Sequence, residues 1–218
     1  FEYIKTESKG LSRRTNFDAA GNPIGGEENL INDAKERSFI LLGLGASFKP
    51  STYLEIYGNI SQNYRSITFS DVNIVNPSNA VDPSLKDENG FTVDVGARGN
   101  LNSWVSYDIG FFSLFYKDRI GFLFTSIPPI NNLGQLRTNI GDATIMGLES
   151  VLDFNLKKIL TIGDRFSFNY FVNTSVINSK YTRVITNGIK GNKVEFVPDF
   201  NIKTGIRFGY QNVSSSIQ

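Results

Sequence analysis

The chain has 218 residues, 40% hydrophobic and 13% aromatic, with 22 Lys and Arg against 21 Asp and Glu for a net charge of +1. That is enough apolar material for an ordered structure, and it gives no bulk charge to draw nucleic acid. Cys and His are both absent, which removes disulfides, thiolate and imidazole metal sites, and Ser/His/Asp and Cys/His nucleophiles; no catalytic residue, metal site or cofactor is expected.

In chain order, "FEYIKTESKG" reads as the inside of a strand and lacks the basic start and apolar middle of a signal peptide. A long link rich in Gly, Asn and Asp is expected near 10 to 37, where "SRR" (12 to 14) is a weak basic candidate. "FILLGLGASFK" is about half of the roughly 20 residues a membrane helix needs, so it is read as a strand. After the short link "KPST", "TYLEIYGNISQNYR" sets Leu54, Ile56 and Ile60 against Glu55, Asn59, Ser61 and Asn63. This alternation gives a strand one oily and one wet face.

A second long link, near 65 to 90, ends in "DPSLKDENG". Asp82, Asp87, Glu88 and Asn89 offer hard oxygens that suit Ca²⁺, but the spacing is not that of an EF-hand, and an ordinary acidic loop is the competing reading. "FTVDVGARG" then sets Phe91, Val93, Val95 and Ala97 against Asp94 and Arg98. After "NLNS", "WVSYDIGFFSLFYKD" alternates less well, because Phe112 falls on the polar side. A third long link, near 125 to 139, precedes "GDATIMGLESVLDFNL", where Leu148, Leu152 and Phe154 oppose Glu149 and Asp153. Beyond "KKILTIGD", "RFSFNYFVNTSVINS" sets Phe166, Phe168, Tyr170, Val172 and Val176 against Arg165, Ser167, Asn169 and Asn173. A fourth long link, near 181 to 197, leads to "DFNIKTGIRFGY", where Phe200, Ile202, Ile206 and Phe208 oppose Asp199, Lys203 and Arg207, and "NVSSSIQ" opens a last strand.

About nine strands result, with long and short links in alternation. Strands of 11 or 12 residues at about 3.3 Å each, tilted about 45°, cover roughly 27 Å, close to a hydrocarbon core. Loop length sorted by parity and Tyr53, Tyr64, Trp104, Tyr107 and Tyr210 near strand ends fit an all-β, antiparallel up-and-down transmembrane β-barrel, with the wet face lining its lumen. The acids Glu55, Asp94, Asp108, Glu149 and Asp153 are then solvated or paired with Arg98, Arg165, Lys203 and Arg207. No spacing fixes two of them as a hydrolytic pair.

Four segments in order, "YGNISQNYRSITFSDV", "DPSLKDENGFTVDVGARG", "GFFSLFYKDRIG" and "GDATIMGLESVLDF", resemble barrel segments of TonB-dependent outer-membrane receptors, nearest to ferric citrate receptors of the FecA type. The resemblance implies a 22-strand barrel of a Gram-negative outer membrane. Residues 1–218 are then expected to be a partial barrel domain, interior to C-terminal, with plug domain and TonB box outside this sequence. It implies uptake of an iron chelate such as ferric citrate or another siderophore, no enzymatic activity, and as partners TonB, the ferric chelate and outer-membrane lipid, with no nucleic acid. Tyr64 and Arg65, where a strand enters a long link, and Gln135 and Arg137 at the end of another are the candidates for ligand contact, the competing reading being exposed loop arginines that serve solubility. Arg offers bidentate geometry to carboxylate. A SusC-type glycan importer and a passive porin or adhesin barrel share the alternation and remain open.

Overall fold

The computed structural model describes residues 2–17, 23–72, 79–127, 132–185 and 188–218, with side chains outside 2–4, 6–36, 127 and 132. The strands are β1 (Glu2–Phe17), β2 (Pro23–Phe39), β3 (Gly43–Ser51), β4 (Leu54–Arg65), β5 (Asn79–Val81), β6 (Glu88–Leu101), β7 (Val105–Ile127), β8 (Asn132–Asn155), β9 (Phe166–Val184), β10 (Phe200–Tyr210) and β11 (Val213–Ile217). Two helices of four residues, α1 (Phe69–Val72) and α2 (Leu156–Ile159), complete the elements. Among the described residues no helix is long and apolar enough to cross a membrane, which says nothing of a β-barrel. The chain divides into two compact units, Phe1–Leu41, Tyr64–Asn89 and Lys117–Gly141 in the first, and Leu42–Asn63, Gly90–Tyr116 and Asp142–Gln218 in the second.

The larger sheet is a meander. Its strand order is β11-β10-β9-β8-β7-β6-β4-β3, each strand lying beside its neighbour in sequence apart from the small β5. The pairs β3/β4, β9/β10 and β10/β11 are antiparallel, the last two in register from Phe200↔Val176 to Tyr210↔Phe166 and from Ile206↔Ile217 to Tyr210↔Val213. The path ends on β3 and β11 without closing. Short links act as hairpin turns. Asn102 and Ser103 take φ of 49° and 58°, and the Trp104 amide donates to Leu101 O at 2.8 Å, the primed turn whose twist matches that of the strands.

The two faces of this sheet differ chemically. Ile56, Phe91, Val95, Ile109, Phe111, Leu148, Phe200, Ile202 and Phe208 are exposed apolar groups, and on the same face Phe166 lies against Phe208 at 6.1 Å and Tyr210 at 5.0 Å. The other face carries paired polar groups. Arg98 grips Glu55 at 3.1 and 3.2 Å, the Tyr57 hydroxyl donates to Asp108 at 2.7 Å, and Asn169 donates to Asp153 at 2.7 Å. Lys203 and Arg207 stand opposite Asn173 and Asn169 in register. The misplaced aromatic Phe112 is accommodated on this polar face because Gly147 faces it. A Cβ at Gly147 would lie 3.0 Å from the Phe112 ring. At the short-turn ends, Tyr53, Trp104 and Tyr210 are exposed, and the Tyr107 hydroxyl donates to Tyr53 O at 3.0 Å.

The expected long links are corrected in detail. Most of 10 to 37 is strand, because β1 and β2 pair antiparallel in unbroken register from Glu2↔Phe39 to Asn16↔Gly25, satisfying backbone donors and acceptors that a loop would leave to water. Most of 125 to 139 is strand too. At 23 and 24 residues, β7 and β8 run to about 76 Å or more at about 3.3 Å per residue, which at the same tilt of about 45° covers roughly 54 Å, well beyond a hydrocarbon core. Within β7, Asp118 turns left-handed (φ 54°) and its carbonyl accepts from Asn139 Nδ2 at 2.5 Å, so the carbonyl at this irregularity keeps a partner. Of the link near 181 to 197, β9 takes the start, and the rest of what is described folds back on the buried Tyr181, whose hydroxyl donates to Glu195 at 2.7 Å. Relative to the nine strands expected, β2 and β5 are additional.

The described parts of 65 to 90 share a small core with β7. Ile67, Leu85 and Ile120 are buried together, with Val72 and Val81 packed against them. Strand β5 adds to β8 in parallel, Asn79↔Gln135, Ala80↔Leu136 and Val81↔Arg137.

Candidate functional site: an arginine pair on one buried carboxylate

Tyr64, Arg65, Gln135 and Arg137 all fall in the first unit. Tyr64 stacks on Phe39 with ring centroids 3.9 Å apart and donates its hydroxyl to Asp87 Oδ2 at 2.5 Å. Asp87 also takes the Arg37 Nε at 2.5 Å and the Ile67 amide at 2.8 Å. Tyr64 is therefore tied into the segment rather than standing free at a strand end. Gln135 is half-buried at its pairing position opposite Asn79. The side chains of Arg13 and Arg14 in "SRR" lie outside the described residues.

Arg65 and Arg137 are brought together by Asp71. Asp71 is fully buried, at 0% exposure. Arg65 Nη2 donates to both of its oxygens at 3.0 Å, while Nη1 reaches Glu88 at 3.1 Å. Arg137 donates to Asp71 Oδ1 from Nε at 3.2 Å and from Nη2, and its guanidinium lies 4.6 Å from the centre of the Phe122 ring. The Thr68 amide and hydroxyl fill the remaining acceptor sites at 2.9 and 2.8 Å. A buried carboxylate costs several kcal/mol unless it is paired and hydrogen-bonded, and here it is both. Burial pushes the Asp71 carboxyl up, but the Thr68 amide, the Arg137 guanidinium, the Thr68 hydroxyl and Arg65 together outweigh it and bring it down to about 2.

The acidic stretch after β5 is spent on structure. Asp82 accepts from the Ser84 amide at 2.8 Å and hydroxyl at 2.6 Å and from the Thr138 hydroxyl at 2.6 Å, bonds that hold its carboxyl below its usual range. Glu88 Oε1 takes the Ile120 amide at 2.8 Å as well as Arg65. Among the described residues no three acidic side chains are grouped to hold a metal ion, because the carboxylates that suggested Ca²⁺ point at separate donors.

Sequence reasoning missed Asp71, Arg37 and Phe122. A signal existed for the first: "TFSD" places Thr68 and Asp71 at capping-box spacing, and the Asp71 carboxylate accepts the Thr68 amide as a capping box requires. Nothing local in sequence marks Arg37 or Phe122, whose roles depend on partners 50 and 15 positions away (87 − 37 and 137 − 122).

In the second unit the polar face holds a recess of about 180 Å³ lined by Tyr57, Asp94, Asp108, Phe112, Glu149 and Val151 among others. Three of the acids expected on the wet face meet there. Its polar lining is one of hydrogen-bond acceptors, of which Asp108 already takes the Tyr57 hydroxyl.

A family model described as TonB dependent receptor-like, beta-barrel, matches residues 7–216. Comparison with curated proteins gives no match. Among solved structures the chain is similar to the ferric yersiniabactin uptake receptor FyuA of Yersinia pestis, at 21% identity and a TM-score of 0.51 over 86% of this chain and 25% of that one. It is similar to the ferric citrate transporter FecA in the unliganded form, at 15% identity and TM-score 0.54, over 86% and 24%. It is also similar to the copper transporter OprC, at 13% and 0.64, over 94% and 28%. At these identities the likeness speaks for the fold. The chain spans about a quarter of the length of these three proteins. With nearly its whole length matched by the family model and its meander shared with these barrels, the chain belongs to the TonB-dependent receptors and forms part of their β-barrel.

Proposed function

We propose that this chain supplies wall and outer segments of an outer-membrane receptor that takes up an anionic iron chelate, ferric citrate or another carboxylate-bearing siderophore, driven through TonB. The exposed apolar face with Phe91, Ile109, Leu148, Phe200 and Phe208 meets lipid, and the face with Glu55, Arg98, Asp153 and Arg207 meets the lumen. The observation that carries the choice of cargo is the convergence of Arg65 and Arg137 on a single carboxylate. Two guanidiniums set around carboxylate oxygens make a ready geometry for a carboxylate ligand. Tyr64 and Gln135 border the same segments, and Tyr64 acts by holding Asp87.

The test is binding and uptake of ferric citrate by the full-length receptor with Arg65→Ala, Arg137→Ala and both. Each single variant is expected to weaken binding by about tenfold, the cost of one charge-assisted interaction. Affinity unchanged in the double variant removes the pair from the site.

A further inference from the structure

One carboxylate serves two guanidiniums here, and it serves them unequally. Arg65 presents a single nitrogen, Nη2, shared between Oδ1 and Oδ2 at 3.0 Å each, while its other terminal nitrogen goes to Glu88. Arg137 directs both Nε and Nη2 onto Oδ1 alone. Neither arginine forms the two parallel bonds, one per oxygen, that make guanidinium–carboxylate pairing strongest. A ligand with two or more carboxylates would give each guanidinium its own fork. The access is asymmetric as well. Asp71 is sealed from solvent, whereas the Arg65 side chain is 40% exposed and the Arg137 side chain 16%. An anion arriving from solvent meets Arg65, the more exposed of the two, first.

The element that carries Asp71 is small. It is the single turn α1, closed by the Asp71 amide on Thr68 O at 3.0 Å and by the Thr68 donors on the Asp71 carboxylate. A four-residue helix has no cooperative ladder to hold it, so its position rests on the packing of Val72 against the Ile67 core and on the same ion pairs that a ligand would contest.

We propose that Asp71 is an internal competitor, a carboxylate of the chain itself that occupies the arginine pair until a polycarboxylate anion displaces it and releases the turn at 68–72. The inference rests on the reading of Arg65 and Arg137 as ligand donors and adds to it both a ligand class, anions bearing at least two carboxylates, and a coupling between binding and the conformation of this segment. A ligand moves such an equilibrium only by its differential affinity for the released form. Removing the competitor should therefore appear directly as tighter binding.

The probe is citrate without iron, titrated calorimetrically into the full-length receptor, with amide exchange at Thr68 followed in parallel. Asp71→Asn is expected to bind citrate at least tenfold more tightly than the parent, and the gain should vanish when Arg65→Ala and Arg137→Ala are added. Thr68→Val removes one hydroxyl donor from the competitor and leaves both arginines intact, so it should tighten binding two- to fivefold and decides the matter where Asp71→Asn fails to fold. In the parent, citrate should speed exchange of the Thr68 amide and leave the Leu85 amide, held by Asp82 O, unchanged. Citrate bound no more tightly by either folded variant, or exchange at Thr68 indifferent to citrate, overturns the proposal. If the variants gain affinity while the parent transports no ferric citrate, the competitor stands and the choice of cargo falls.

Discussion

Gly96 faces the ring of Tyr57 on the neighbouring strand so closely that a Cβ at Gly96 would fall within the ring edge, and it would also lie 2.9 Å from Ile109 O. The absence of a side chain at one position is what lets the other lie flat and donate to Asp108. The same relation recurs at Gly205, where an added Cβ would come 2.6 Å from the Phe171 ring. Large polar-face aromatics are thus paired across strands with glycine.

Gly96→Ala is accordingly expected to destabilise by about 1–3 kcal/mol, the usual cost of overpacking, because the Tyr57 ring must swing off Asp108. Gly163→Ala, with nothing within 4 Å of the added Cβ, should change stability by less than about 0.5 kcal/mol. Urea unfolding of the full-length protein in detergent compares the two. Equal midpoints would remove the close approach as a constraint.

Asp71 makes the first unit sensitive to acid. Its carboxyl, ordinarily near 3.8, is brought down to about 2 in the folded chain, so the unfolded segment takes up its proton first as pH falls. The stabilisation is whole above about pH 4 and is lost progressively as pH drops through 2, for a total of about 2–3 kcal/mol. Pepsin cleavage within 66–72 should rise across that window in the parent and stay flat in Asp71→Asn. A flat parent profile would show that the arginines do not hold the carboxyl charged.

Ser103 sits at φ 58° in the turn between β6 and β7, a left-handed conformation that costs an L residue roughly 1 kcal/mol and glycine almost nothing. Ser103→Gly should raise stability by about 0.5–1 kcal/mol, while Gly offsets part of the gain through its looser unfolded chain. A lower unfolding midpoint for the variant would mean that the Ser103 side chain is needed in the turn.

Period-two alternation by itself determined the sheet. It placed β4, β6, β8, β9 and β10, divided Leu148 from Glu149 and Phe200 from Lys203, and marked the short turns, because a strand's side chains obey a rule two residues long that no distant contact can alter. It also brought Arg65 and Arg137 forward as cations at the ends of long links. Tertiary structure alone decided what those links are. The hairpin β1/β2 depends on pairing Glu2 with Phe39, and the core of Ile67, Leu85 and Ile120 gathers residues spread over 53 positions (120 − 67). Asp71 became the centre of the candidate site for the same reason. Its partners lie 6 and 66 residues away, and the burial that makes an unpaired carboxylate too costly, and so forces both arginines onto it, exists only once those segments have met.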